Sequence, residues 1–216
     1  MPAGPFTSKN GGAMAYLTAS ERRSKIVEAA TRVIARDGLA AASTRRIADE
    51  AGVNLAALHY SFDGKEDIYL AADDALRAIV METDHDSPEP PTRHSVARSL
   101  ISRFQDKLRT DRDIALAQYE LLLWALRGGK DELAAASYQK FIDAFSAEFA
   151  QAYDIGDSDT TALSRYTIGA IDGIYMQHLA AGTNGVSDVE LDAIAHAIIT
   201  IVDAIRTAGS RRIRGG

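Results

Sequence analysis

The residues best suited to chemistry in this chain lie between Ser43 and Lys65. Arg45 and Arg46 fall in the first turn of a predicted helix, Asn54 at the start of the next one, and Lys65 just beyond. Helix N-termini also present free N–H groups that bind phosphate. Cationic and polar groups in this order suit the backbone and base edges of DNA. A compact helical hairpin with small residues at close crossings is the alternative that the spacing leaves open.

Two short helices joined by a tight turn must position these groups. Ser43 and Thr44 suit the N-cap of the first helix, and Gly52 suits the left-handed residue that ends it. Asn54 can cap the second helix. On that helix Val53, Leu58 and Phe62 are predicted to face Ile47 and Ala48, leaving Leu55, Ala57, His59 and Tyr60 on the other sides. This is the spacing of a helix-turn-helix.

Residues 22–70 resemble the N-terminal domain of TetR-family transcriptional regulators. The segments IVEAATRVIARDG, ST, IADEAGVN, LHYSF and GKEDI follow each other in the order and spacing of that family. The resemblance covers about a quarter of the chain. It implies a dimeric helical repressor or activator that a small molecule releases from DNA.

The resemblance also implies individual DNA contacts. Ser43 and Thr44 match positions that hold phosphates, and Arg45 matches one that can reach a base edge, where arginine suits guanine O6 and N7. His59 departs from the tyrosine common at its position, and Arg46 faces either solvent or phosphate. The full DNA-binding set is Ser43, Thr44, Arg45, Asn54, Leu55, Ala57, His59, Tyr60 and Lys65.

Composition excludes several kinds of protein. The 216 residues include no Cys, which excludes disulfides, thiolate metal sites and cysteine nucleophiles. No apolar run approaches the about 20 residues of a membrane span, and the N-terminus lacks the pattern of a signal peptide, so we expect a soluble, cytoplasmic protein. His85 and His94 lie in a proline-rich run typical of a solvated linker, so neither a metal nor a cofactor is predicted.

Charge is distributed unevenly along the chain. Residues 1–66 contain nine Lys/Arg and seven Asp/Glu, a net charge of +2. The remainder contains fifteen Lys/Arg and twenty-three Asp/Glu, a net charge of -8, so the whole chain carries -6. A mildly basic head on an acidic body would direct phosphate to one end. A net charge of +2 over 66 residues is also unremarkable.

Apolar periodicity predicts an all-α fold of about nine helices, with no strand signals. We predict a disordered arm over residues 1–19, a DNA-binding head over 20–66, a ligand-binding and dimerisation body over 67–207, and a disordered basic tail over 208–216. Ser20, Asp63 and Asp159 suit helix N-caps, and Ser187 with Glu190 forms a capping box. Lys9, Arg22 and Arg23 suit either a solvated tail or an arm near a minor groove.

The last two helices are predicted to form a homodimer interface, because the family pairs them with those of a partner. Gly169 and Gly173 leave a smooth stripe, and the final helix carries a broad apolar face. Burial inside one subunit must account for part of that face. The predicted interface comprises Gly169, Gly173, Ile194, Ile198, Ile199 and Val202.

Aromatic residues with a few polar groups recur around the middle of the body, as a pocket for a small-molecule effector requires. Most of them also suit plain core positions, and no ligand class follows from them. The set comprises Phe104, Tyr119, Trp124, Tyr138, Phe141, Phe145, Tyr166, Tyr175 and His178.

Two other functions were weighed against a regulator. An enzyme is disfavoured, because the sequence has no nucleophile elbow, phosphate loop or paired-carboxylate motif. A helical dimeric scaffold without specific DNA binding is disfavoured by Arg45, Asn54 and Lys65. The hypothesis is therefore a regulator of double-stranded operator DNA.

Overall fold

A computed structural model describes residues 18–81, 92–110, 112–183 and 186–214, with side-chain surroundings for all of these except 80, 81, 103–110 and 208–214. The described residues form nine α-helices and one 3-10 turn, without a strand, which confirms the all-α prediction. The helices are α1 Ala19–Asp37, α2 Thr44–Ala51, α3 Leu55–Ser61, α4 Lys65–Met81, α5 Arg93–Thr110, α6 Arg112–Arg127, α7 Asp131–Tyr153, α8 Asp157–Ala181 and α9 Asp188–Arg214, with the 3-10 turn at Leu39–Ala41.

Helix α1 is the support of the head. Its N-cap is Thr18, which forms a capping box with Glu21, so the prediction of Ser20 as the cap is wrong by two positions. The helix ends at Gly38, whose φ of 81° suits a glycine. Its apolar face is fully buried against α2, α3 and α4. This face comprises Ile26, Ala29, Ala30, Val33 and Ile34.

Helix α4 connects the head to the body without a break, so the predicted domain boundary after residue 66 falls inside a continuous helix. Asp63 was predicted as its cap with Glu66 as partner. The helix instead begins at Lys65, and the Glu66 carboxylate accepts a hydrogen bond from Lys130 Nζ at 2.6 Å. The long-range ion pair therefore replaces the local capping box.

The body comprises α5 to α9 around a second core, in which Phe149, Tyr153, Leu163 and Ile198 are among the most deeply buried side chains. Gly156 rather than Asp159 caps α8, because the helix already begins at Asp157. The capping box of Ser187 and Glu190 at the start of α9 is confirmed, with Ser187 N–H donating to Glu190 Oε2 at 2.8 Å.

Helix α9 extends to Arg214, whereas the sequence predicted a disordered tail from residue 208. This segment is rich in arginine, a good helix former that is favoured near helix C-termini. Of the predicted N-terminal arm, residues 1–17 lie outside the described residues, as does most of the predicted linker, residues 82–91.

Helix α6 joins the two cores. Its residues Ala117 and Leu121 are buried in the head cluster, and Trp124 packs edge-on against Tyr69 of α4 with ring centroids 5.2 Å apart. Glu120 accepts a hydrogen bond from the backbone N–H of Leu39 at 2.5 Å. The head therefore rests on a body helix through both apolar and polar contacts.

Within the described ranges, no helix combines the length and apolar character needed to span a bilayer. The same ranges contain no cluster of three or more His, Asp or Glu side chains arranged to hold a metal ion.

Candidate nucleic-acid interface and effector cavity

The start of α2 is fixed by its N-cap and by ion pairs to α1. Ser43 Oγ accepts a hydrogen bond from the Arg46 backbone N–H at 3.2 Å, as predicted for an N-cap. The Arg46 guanidinium binds Asp37 Oδ2 at 3.1 Å, so this side chain turns toward α1. That contact answers the question that the sequence left open for Arg46: it ties α2 to the end of α1.

Asp37 is held between two guanidinium groups. Hydrogen bonds from Arg36 and then Arg46 lower the pKa of the Asp37 carboxyl to about 2. Glu50 of α2 likewise binds Arg32 and Arg36, which lowers its pKa. These pairs are solvent-exposed, so their role is to orient α2 rather than to add much to the free energy of folding.

The turn between α2 and α3 has the geometry that the sequence predicts. Gly52 adopts the left-handed conformation with φ of 63° and ends α2. Asn54 Oδ1 accepts a hydrogen bond from the Ala57 backbone N–H at 2.7 Å and so caps α3. The Asn54 side-chain N–H groups point to no partner among the described residues and are free for a ligand.

Helix α3 has one buried face and one exposed face. Leu58 is fully buried and Phe62, just after the helix, is nearly so, and both belong to the same core cluster as Ile47 and Ala48 of α2. On the opposite side Leu55 is 41% exposed and Tyr60 is 82% exposed, with His59 also exposed. Ala57 is half-buried. Large apolar and aromatic groups left in solvent on a short helix indicate a binding surface.

The basic residues of the predicted interface are exposed. Arg45 has no hydrogen bond or ion pair within the described part of the chain, and the half-buried Thr44 precedes it at the helix start. Lys65 lies at the first turn of α4 with its Nζ 5.0 Å from the centroid of the Tyr69 ring. Both cations are thus available to an anionic partner.

Arg23 supports α3 from α1, a role that the sequence did not predict. Its guanidinium donates to the carbonyl oxygen of Ser61 at 2.7 Å and lies 4.0 Å from the centroid of the Phe62 ring. It also pairs with Asp67 at 3.5 Å. The last turn of α3 is thereby clamped to the supporting helix. A cation at the C-terminal end of a helix is favoured by the helix dipole.

A cavity opens in the body between α4, α6, α7 and α8. It has an empty volume of about 520 Å³, part of it open to solvent, and its surface is mainly apolar. It is lined by Asp73, Arg77, Gln118, Tyr119, Leu122, Ser137, Tyr138, Phe141, Ile168 and Asp172. Ligand sites in proteins have this character, with apolar walls and a few polar groups.

Asp172 is the carboxylate on the α8 side of the cavity. It accepts a hydrogen bond from Tyr138 at 2.8 Å and another from Tyr119 at 3.1 Å. Burial raises the pKa of Asp172, and the two hydroxyl groups offset part of that rise. Burial and the nearby carboxylate also raise the pKa of both tyrosines, so each remains a neutral donor.

The α4 side of the cavity carries an ion-pair network centred on the buried Arg77. Its guanidinium binds the carboxylates of Asp73 and Asp74 and the hydroxyl of Ser137. Ser137 also donates to Asp73 at 2.8 Å, and Lys140 binds Asp74. Arg77 Nε has no partner among the described residues. The network ties α4 to α7.

Three of the predicted pocket residues, Tyr119, Tyr138 and Phe141, line the cavity. Phe145 and Tyr175 are buried in the body core, and the side chain of Phe104 lies outside the described residues.

Three other predicted pocket residues lie elsewhere. Trp124 packs on Tyr69, Tyr166 is 47% exposed on the surface of α8, and His178 pairs with Glu190 at 3.0 Å. Aromatic content alone did not separate the pocket from the core and the surface.

The charged residues of the cavity, Asp73, Arg77 and Asp172, are not among the residues predicted from sequence. Asp172 stands alone between Ile171 and Gly173 in an otherwise apolar stretch of α8, which is a usable signal for a functional carboxylate. Asp73 and Arg77 are four residues apart on α4, a spacing that also fits an ordinary surface pair. Only the fold shows that both sets meet in one cavity.

Most of the apolar residues predicted for the dimer interface are buried within the chain. Ile194, Ile198 and Val202 are 5%, 0% and 0% exposed in the body core, so these side chains pack within their own subunit rather than on its surface. Ile199 is half-buried against the same core. Helix α9 uses this face to pack on its own subunit.

Gly169 and Gly173, by contrast, are exposed on α8, and an added Cβ at either would meet no atom within 4 Å.

Comparisons with known proteins agree with this arrangement. The family described as "Bacterial regulatory proteins, tetR family" matches residues 26–72, which include α2 and α3. The HTH-type nicotine-responsive transcriptional repressor HdnoR of Paenarthrobacter nicotinovorans is 34% identical over 108 residues. That match covers 50% of this chain and 56% of HdnoR, so it spans only about half of the relative.

Solved structures match over most of the body as well. The multidrug binding protein EbrR in complex with ethidium has a TM-score of 0.59 at 26% identity, covering 84% of this chain and 98% of EbrR. A TetR-family member from Streptomyces coelicolor A3 has a TM-score of 0.60 at 27% identity, with the same coverage of each chain.

The all-helical fold and the exposed helix-turn-helix resemble those of DNA-binding transcriptional regulators. Residues 26–72 match the TetR family of bacterial regulatory proteins, and the structural likeness to a TetR-family member extends over most of the chain. TetR-family regulators bind DNA and small molecules and are not enzymes, so this match favours a regulator over the enzyme alternative.

Proposed function

We propose that this chain is a homodimeric repressor that binds a palindromic operator and is released by a small-molecule effector. The observation that carries the proposal is the outward face of α3, where Leu55, His59 and Tyr60 are exposed while Leu58 anchors the helix to the head. A surface of this kind fits the major groove of DNA. We propose a cytoplasmic location because the target is DNA.

The contacts divide into base readout and phosphate binding. Arg45 binds a guanine edge, the free amide N–H groups of Asn54 donate to a base, and Leu55 and Ala57 contact thymine methyl groups. Ser43, Thr44, Tyr60 and Lys65 hold phosphates. His59 lies on the same exposed face and faces the groove.

The dimer is proposed to form through the exposed face of α8. Tyr166, Gly169, Gly173 and Met176 recur at intervals of three and four residues, and the two larger side chains are each 47% exposed. Small residues flanked by large apolar ones allow helices to approach closely. A two-fold pair would place two α3 helices about 34 Å apart, one turn of the duplex.

The effector is proposed to bind in the cavity that α4, α6, α7 and α8 share. Its α4 wall belongs to the helix that follows α3 in the chain and packs on α1, the support of the head, so a ligand there contacts an element joined to the head. The relatives support a small organic effector, since one is titled nicotine-responsive and another is a multidrug binding protein in complex with ethidium.

The test is selection of genomic DNA fragments by the purified full-length protein, followed by gel shifts at several salt concentrations. A regulator should enrich a palindromic sequence and bind it in a salt-dependent manner as a dimer. Weak, uniform binding to all fragments would contradict the proposal and favour the helical scaffold.

A further inference from the structure

Asp172 differs from the other charged groups of the cavity in having no cationic partner. Its carboxylate is contacted by the hydroxyls of Tyr119 and Tyr138, and no lysine or arginine among the described residues binds it. Both hydroxyls donate hydrogen bonds but carry no charge. Among the described residues, the negative charge of Asp172 is therefore met by hydroxyl dipoles and not by a cation.

The remaining charges around the cavity balance each other. Asp73 and Asp74 are both bound by Arg77, and Lys140 also binds Asp74. Two carboxylates thus face two cations on the α4 and α7 side. Asp172 is left as one unmatched negative charge.

A partly buried carboxylate without a cation is unfavourable, and this burial raises the pKa of Asp172. A protein can hold such a group for a ligand that completes the pair, because a bound cation removes the cost of the unmatched charge. One positive charge suffices.

The walls next to Asp172 suit the rest of such a ligand. Tyr119, Tyr138 and Phe141 present aromatic rings, which attract cations over their faces and pack against apolar groups. We propose that the cavity selects an organic monocation with an aromatic or other apolar body, and that Asp172 is its counter-ion. This proposal rests on the cavity being the effector site of the proposed function.

The test measures binding to the full-length protein in the absence of DNA. Phenyltrimethylammonium is compared with tert-butylbenzene, which has the same shape with carbon in place of the charged nitrogen. Proflavin, a cation at neutral pH, is compared with acridine, which has the same ring system without the two amino groups and is neutral at that pH. Each cation should bind about 10-fold to 100-fold more tightly than its neutral partner, as a charge-assisted contact predicts.

Variants assign the preference to one residue. Asp172→Asn keeps the side-chain shape and an acceptor for one tyrosine, and its amide N–H can donate to the hydroxyl oxygen of the other. It should remove the 10-fold to 100-fold preference while affinity for the neutral compounds stays within about twofold. Asp172→Glu should keep the preference for the cations. Asp143→Asn, which removes an exposed carboxylate on α7 outside the cavity, is the matched control and should behave like the parent.

Three results would overturn the inference: equal affinity of the parent for charged and neutral partners, failure of both cations to bind, or an unchanged preference in a folded Asp172→Asn variant. The proposed function has a separate readout. If both cations bind through Asp172 but operator affinity does not change, release by an effector is wrong while the charge selectivity of the cavity stands.

Discussion

Asn54 Oδ1 accepts the backbone N–H of Ala57 at 2.7 Å, so the residue proposed to meet a base also holds the first turn of the recognition helix. The two roles use different atoms of one amide. The oxygen satisfies a helix N–H that would otherwise lack a partner, and the nitrogen faces outward. Stability and DNA recognition can therefore be separated at this position.

Asn54→Ser should retain the cap and lose the amide donor, whereas Asn54→Ala should lose both. We expect the alanine variant to unfold about 1 kcal/mol more easily in urea, with the serine variant close to the parent. Both should bind the operator more weakly. Full operator affinity in the folded serine variant would show that the amide nitrogen contacts no base.

Arg45→Ala and Lys65→Ala should have different effects on DNA binding. Loss of Arg45 should weaken the free energy of operator binding by about 1 to 3 kcal/mol per base contact. It should also relax the base preference at one operator position. Loss of Lys65 should weaken binding to all sequences. It should also reduce the slope of log binding constant against log salt concentration by about one for each bound subunit. Gel shifts on operator variants at several salt concentrations measure both.

The control for these two variants is Arg112→Ala, which removes an exposed arginine at the start of α6. It should leave operator affinity unchanged. Identical profiles for Arg45→Ala and Lys65→Ala would mean that base and phosphate contacts are wrongly assigned.

Gly173→Arg should prevent dimerisation without unfolding the subunit. An added Cβ at this position meets no atom of the chain within 4 Å, so the arginine has room in the monomer but would project into a close helix pair. Analytical ultracentrifugation should show a monomer, circular dichroism an unchanged helical content, and gel shifts a loss of operator binding. Gln151→Arg, on the exposed side of α7, is the control. A Gly173→Arg variant that remains dimeric would place the interface elsewhere.

Asp172→Asn should raise the thermal stability of the ligand-free protein at neutral pH. The folded-state pKa of Asp172 is raised, so its ionised form lowers the free energy of unfolding at pH values above that pKa, and protonation at lower pH relieves the cost. The advantage of the variant in Tm should thus shrink as the pH falls. Thermal denaturation across a pH series tests this. An equal advantage at every pH would mean that packing rather than charge causes it.

The helix-turn-helix was largely predictable from sequence because its determinants are local. Ser43, Gly52 and Asn54 act through hydrogen bonds or backbone angles within a few residues, and all three lie where expected. One cap failed at a long-range contact, since Glu66 pairs with Lys130 of another helix, whereas the caps of α1 and α8 lie two and three residues before the predicted Ser20 and Asp159.

The cavity and the dimer face were less predictable because both depend on how distant helices pack. An aromatic residue at helical spacing has the same local pattern in a pocket, a core or a surface. Tyr119 lines the cavity, Phe145 lies in the core and Tyr166 lies on the surface. The sequence pattern of α9 is likewise compatible with packing on a partner or on its own subunit, and only the positions of α5 and α8 distinguish the two. Ile198, fully buried in the chain, shows which one applies.

The contact between α6 and the head has a consequence for protein engineering. Ala117 and Leu121 complete the apolar core under α1 and α4, and Glu120 holds the N–H of Leu39. A chimera that transplants residues 18–81 onto a different sensor would lack these α6 residues and would expose the apolar core under α1 and α4. Exchanging operator specificity between such proteins therefore requires transferring Ala117, Glu120 and Leu121 of α6 together with the helix-turn-helix head.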